Sequence, residues 1–112
     1  MPNPKRIGIV IGIKPEAIEY YKSIHADTYS GVRDLLSKYN MKNFSIFLQR
    51  LPDDKHYLFG YFEYDGTDYE GDMAKLAAEP RDQEWHAITD NLQIPLPGEK
   101  LWANMEEVYH NK

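Results

Sequence analysis

With 112 residues, 42% of them apolar, the chain accommodates one domain around a single core, and a second domain would not fit. The net charge of −5, from 18 acidic against 13 basic residues, argues against a nucleic-acid surface, which needs clustered Lys and Arg, and suits a small or neutral ligand. There is no cysteine, so disulfides, thiolate nucleophiles and Cys-based zinc sites are excluded, and no stretch approaches the ~20 apolar residues of a membrane helix.

Arg6 to Ile13 sets Ile7, Ile9, Ile11 and Ile13 against Gly8, Val10 and Gly12, the period-2, β-branched pattern of a first strand rather than a leader segment. Pro15 opens a helix at its first turn, where the missing amide proton costs nothing, and the helix is expected to run to about Ile24. A break over His25 to Ser30 and a second helical piece from Gly31 to Tyr39 follow, closed at Tyr39-Asn40. Asn43 to Leu51 and His56 to Tyr64 alternate on either side of the polar Pro52-Asp53-Asp54-Lys55, which predicts a hairpin with a four-residue loop. Asp68 to Ala78 reads as a helix, and Pro80 begins another that reaches roughly Leu92. A Pro-rich loop, Ile94 to Gly98, then leads to a last strand from Trp102 to His110.

The order β, α, β, β, α, β predicts an α+β domain spanning residues 1–112: a ferredoxin-like, four-stranded antiparallel sheet with helices on one face. Phe44, Ile46 and Leu48 together with Tyr57, Phe59 and Tyr61 are expected on the helix-facing side. The other side, with Gly8, Gly12, Ser45 and Gly60 beside Val10, Phe47, Leu58 and Phe62, would be an apolar patch if left bare. A second copy packing there would give a two-fold homodimer.

The most informative segment is Pro15 to His25. It places Tyr21 and His25 four residues apart, on the same helical face as Ile18 and Ile24, with Glu16, Glu19, Lys22 and Ser23 largely opposite. A phenol and an imidazole turned inward together are either a hydrogen-bonded core pair or the proton-handling part of a ligand pocket. Trp85 is core packing or a ligand platform; Glu84 and His86 beside it read as solvated groups. His25, His56, His86 and His110 show no His-xxx-His or His-Glu-xxx-His pairing, so no histidine metal site is expected.

Taken together, Tyr21-xxx-His25, the strand Asn43 to Leu48 (NFSIFL), the strand Leu58 to Glu63 (LFGYFE), Glu84-Trp85 and the closing Glu106 to His110 (EEVYH) resemble the L-rhamnose mutarotase family over nearly the whole chain. The resemblance implies a dimeric ferredoxin-like fold of α/β-barrel type, a monosaccharide substrate, no cofactor or metal and a cytoplasmic setting. It also implies that His25 is the catalytic proton donor and that Tyr21 contacts the sugar. Two positions depart from the family. A second pocket tyrosine falls at Phe44, which keeps the ring and loses the hydroxyl. A tandem tryptophan matches Glu84-Trp85, or Trp85-His86 if the alignment shifts by one residue. These departures make another 6-deoxy-L-hexose such as L-fucose a candidate beside L-rhamnose.

Anomer exchange requires deprotonating the anomeric hydroxyl and protonating the ring oxygen, so that the ring opens; reclosure on the other carbonyl face reverses both transfers. An imidazole suits this work at neutral pH, and positioned acid or base catalysis contributes about 10² to 10⁴ in rate. The expected activity is therefore that of an aldose 1-epimerase, with Tyr21, Phe44, Glu84 and Trp85 as sugar-contacting residues. The alternatives are a non-catalytic small-molecule-binding domain, in which His25 is mere packing, and a cofactor-free oxygenase or decarboxylase on the same dimeric fold.

Overall fold

The computed structural model describes residues 4–26 and 31–112. Strand β1, Lys5–Ile13, leads through one 3-10 turn, Pro15–Ala17, into helix α1, Ile18–Ile24. Helix α2 spans Arg33–Lys38, and Asn40 closes the segment with φ of 69°, a left-handed conformation that asparagine tolerates. The expected break from His25 to Ser30 begins as foreseen, with His25 capping α1; positions 27–30 lie outside the described residues. Strands β2, Met41–Arg50, and β3, His56–Tyr64, form the hairpin. Helices α3, Tyr69–Ala78, and α4, Pro80–Thr89, follow, and two short strands, β4 at Gln93–Ile94 and β5 at Ala103–Met105, complete the chain.

The sheet runs β2-β3-β1-β4, with β5 also on β1, and every pairing is antiparallel. This is the expected α+β arrangement, with β1 at the centre because its four isoleucines are buried against the helices: Ile11 is 0% and Ile13 is 2% exposed. Ile7 and Ile9 pack with Val32, Leu35, Phe62 and Leu76; Ile11 and Ile13 pack with Ala17, Tyr21 and Leu58. Trp102 lies against both groups.

Three expectations are corrected. In the hairpin, Arg50 pairs with His56 and Leu48 with Leu58, so residues 51–55 form a five-residue loop rather than a four-residue one. One extra loop residue moves the register by one and exchanges the two faces of β3. Leu58, Gly60 and Phe62 therefore face the helices together with Phe44, Ile46 and Leu48, while Tyr57, Phe59 and Tyr61 join Val10 and Phe47 on the open face. Gly60 belongs to the inner side, where a Cβ would come within 2.9 Å of Ile9 Cγ1.

The second correction concerns the fourth strand position. It is shared by β4, opposite Gly12 and Ile13, and β5, opposite Gly8 to Val10, in place of one strand from Trp102 to His110. Pro95 and Pro97, which lack an amide proton for the ladder, fall in the connection. Beyond Met105 the chain leaves the ladder, and Val108 and Tyr109 are exposed. Third, α4 stops at Thr89 rather than near Leu92. The Leu92 amide donates to the Thr89 carbonyl and the Leu92 carbonyl accepts from Lys14, a turn that delivers Gln93 to its place beside Ile13.

Candidate functional site

A cavity of about 950 Å³ lies between the inner sheet face and helices α1, α2, α3 and α4. Its size falls in the range of about 300–1,000 Å³ usual for small-ligand sites. Helix α1 contributes Tyr21 and, at its cap, His25; β2 contributes Phe44; and α4 presents Asp82, Trp85, His86 and Thr89, whose spacing puts them on one helical face.

Tyr21 and His25 stack with ring centroids 4.1 Å apart and planes at 27°. The His25 ring meets Trp85 edge-on at 5.1 Å. His25 Nδ1 lies 2.7 Å from the backbone carbonyl oxygen of Tyr21, an acceptor only, so Nδ1 carries the proton and Nε2 is the atom free to titrate. Burial lowers the imidazole pKa below its ordinary value, the carbonyl contact acts in the opposite direction, and the Arg33 charge lowers it further. Arg33 Nη2 also donates to the His25 carbonyl at 2.7 Å, tying the end of α1 to the start of α2.

The Tyr21 phenol oxygen accepts from Gln93 Nε2 at 3.2 Å, with both residues buried. Burial pushes the phenol up to about 12, against the smaller opposing effect of the Gln93 bond. Tyr21 is therefore a neutral hydrogen-bonding group at working pH. The Phe44 ring lies on Phe62, centroids 5.1 Å apart, and reaches the inner face through a register irregularity between Lys42 and Ser45, where Asn43 adopts φ of 54°.

Trp85 is seated by a link between α4 and α2. Arg81 donates to both carboxylate oxygens of Asp34, at 2.7 and 2.9 Å, and to the Gly31 carbonyl at 2.9 Å. Gly31, at φ of 51°, takes a left-handed conformation that favours glycine and lies beside the Trp85 indole.

His25, Tyr21, Phe44 and Trp85 are thus gathered around one cavity. Glu84 is not among its lining residues: it is exposed, one helical position from Trp85 and turned away. His86, read from the sequence as solvated, is half-buried on the cavity wall, with Nε2 3.4 Å from Asp82 Oδ2 and Nδ1 3.5 Å from Asp90 Oδ1. Sequence reasoning missed Asp82, Gln93 and Trp102. Asp82 was open to detection, since it precedes Trp85 by three and His86 by four and so shares their face; Gln93 gave no such signal, because its burial depends on the β4 pairing.

The model of the L-rhamnose mutarotase family matches residues 6–111, and the chain belongs to that family. Among solved structures, an L-rhamnose mutarotase from Formosa agariphila superposes with a TM-score of 0.73 at 17% sequence identity, covering 96% of this chain and 99% of the other. At that identity the likeness establishes the shared fold. No curated protein matches the chain.

Proposed function

We propose that this protein is a cytoplasmic aldose 1-epimerase that exchanges the α and β anomers of a 6-deoxy-L-hexose, L-rhamnose or L-fucose. The observation that carries this reading is the His25 imidazole: its Nδ1 is held by the Tyr21 carbonyl, and its ring stands against Trp85 on the wall of a cavity large enough for a monosaccharide. Nε2 exchanges the anomeric proton with the sugar. Trp85 offers its face to the C–H side of the pyranose, and Phe44 supplies a ring without the hydroxyl that family members carry there. Tyr21 orients the imidazole by stacking and contacts the sugar. Membership of the mutarotase family and the geometry of His25 together favour this reading over a passive binding domain, in which the imidazole would have no need of the cavity.

A second copy of the chain covers the open sheet face in this proposal. That face presents Phe47 at 65%, Ile94 at 48% and Met105 at 41% exposure, and Gly12 leaves no side chain where Ile94 crosses it.

Saturation-transfer NMR on equilibrated L-rhamnose and L-fucose tests the activity. The protein is expected to accelerate exchange between the anomer signals, and His25→Ala to lower that acceleration by about 10² or more with the thermal melt retained. Broadened signals without exchange would identify a binding module. Unchanged exchange in His25→Ala would remove His25 from the chemistry.

A further inference from the structure

Ring opening moves two protons: one leaves the anomeric oxygen while another reaches the ring oxygen. In the reading above, His25 handles one of them. With Nδ1 committed to the Tyr21 carbonyl and burial favouring the neutral ring, His25 enters the opening step as the base, through Nε2, and acts as the proton donor on reclosure. The proton for the ring oxygen must then come from elsewhere on the cavity wall. The Tyr21 phenol is poorly suited, because its pKa near 12 lies far above the value that serves proton transfer at neutral pH.

Asp82 is the only carboxylate lining the cavity among the described residues, and it is 4% exposed. Burying a carboxyl group costs free energy unless it is paired, and the position of Asp82 in the first turn of α4 would be served equally well by an exposed acid. Its partner is His86, one helical turn on, with Nε2 3.4 Å from Oδ2. Burial raises the Asp82 pKa above the usual carboxylate range. His86 opposes that rise, while Asp90 and Glu79 add to it. Trp85, between Asp82 and His86 on the same helix, also touches the His25 ring, and His25 and Asp82 line the same cavity.

We infer that Asp82 is the second proton-transfer residue of the anomer exchange, complementing His25 across the shared cavity lining, with His86 beside it. This assignment rests on the mutarotase reading above. In the opening step His25 Nε2 takes the hydrogen of the anomeric O1–H, whose electron pair forms the C1=O1 bond. The C1–O5 bond breaks with its pair on O5, and O5 takes the proton of the Asp82 carboxyl group. After rotation about C1–C2, O5 attacks C1 and returns its proton to the Asp82 carboxylate. The aldehyde oxygen takes the proton back from the His25 imidazolium, so no net proton or electron is consumed.

The test measures anomer exchange of L-rhamnose and L-fucose by wild type, Asp82→Asn and Asp82→Ala, with thermal melts of each. Asn matches the shape of Asp without its transferable proton, so Asp82→Asn is expected to melt no lower than wild type and to lose about 10²-fold in kcat with KM little changed. Added formate is expected to restore exchange at least tenfold in Asp82→Ala and not in wild type. An inert wild type would overturn the mutarotase reading together with this assignment. An active wild type whose Asp82→Asn variant exchanges within threefold of it would overturn the assignment alone, as would a raised KM with unchanged kcat or an absence of formate rescue. An Asp82→Asn variant that fails to fold would mark a structural carboxylate and would also overturn it.

Discussion

Tyr21→Phe separates the structural work of the phenol from the placement of the imidazole proposed as catalytic. Tyr21 is 6% exposed and its hydroxyl accepts a buried hydrogen bond from Gln93, itself 7% exposed. Removing the hydroxyl leaves the Gln93 amide buried without that partner, at a cost of about 1–3 kcal/mol. For 112 residues the unfolding entropy near 60 °C is about 0.24 kcal/mol/K, so the melting temperature is expected to fall by about 4–13 °C. Replacing both groups with apolar ones removes the orphaned donor, and the double variant Tyr21→Phe/Gln93→Leu is expected to melt within about 4 °C of wild type, well above the sum of the single losses. His25 is held by the Tyr21 backbone carbonyl and by ring stacking, both of which Phe preserves. Anomer exchange in Tyr21→Phe should therefore drop less than tenfold, far less than in His25→Ala. Calorimetric melts and exchange NMR on the four proteins of the cycle check this. An unchanged melt in Tyr21→Phe, or a double variant as unstable as the summed singles, would refute the view that the Gln93 bond holds the phenol.

The pH dependence of stability has a defined sign. Because the folded His25 pKa is lowered, the unfolded chain binds the proton more readily; the contribution of His25 is fully present above the unfolded value of about 6.5 and is lost as pH falls toward the folded value. His25→Gln should reduce the loss of stability between about pH 7 and 5, as read from urea midpoints; an identical pH slope would show that His25 does not titrate on unfolding. By the same token the acidic limb of the wild-type pH profile should have its midpoint below about pH 6.5, where the proposed base, His25, becomes protonated. Phe44→Tyr is expected to shift the ratio of L-rhamnose to L-fucose exchange rates while both remain catalysed, measured by the same NMR experiment. Phe47→Glu, on the open sheet face, is expected to convert the proposed dimer to a monomer in sedimentation analysis; a wild type that already sediments as a monomer would refute the proposed packing.

The central strand and the inward phenol–imidazole pair were legible because each follows from a local period: two for the isoleucines of β1, four for Tyr21 and His25. The hairpin was legible as a hairpin, but its faces were not. Leu51 fits either the end of a strand or the first residue of a loop, and only the cross-strand pairing of Arg50 with His56 decides between them. The same limit hid Gln93, whose inward position depends on its pairing with Ile13, and Trp102, which is set by the β5 pairing that starts at Ala103, long-range relations with no local signature. Asp82 was overlooked for a different reason. Acidic residues near helix starts are ordinarily solvated, and the helical phase it shares with Trp85 and His86 outweighs that expectation here.

Because the fourth strand position is divided between two short segments, the chain from Pro95 to Trp102 is released from the ladder and yet ends in Leu101 and Trp102 on the cavity. One side of the chamber is therefore tailored by a connection that owes nothing to backbone pairing. Grafting a longer or shorter connection there would resize the chamber while β1, β2 and β3 kept their alignment, which makes this stretch the natural place to retune which carbohydrate enters.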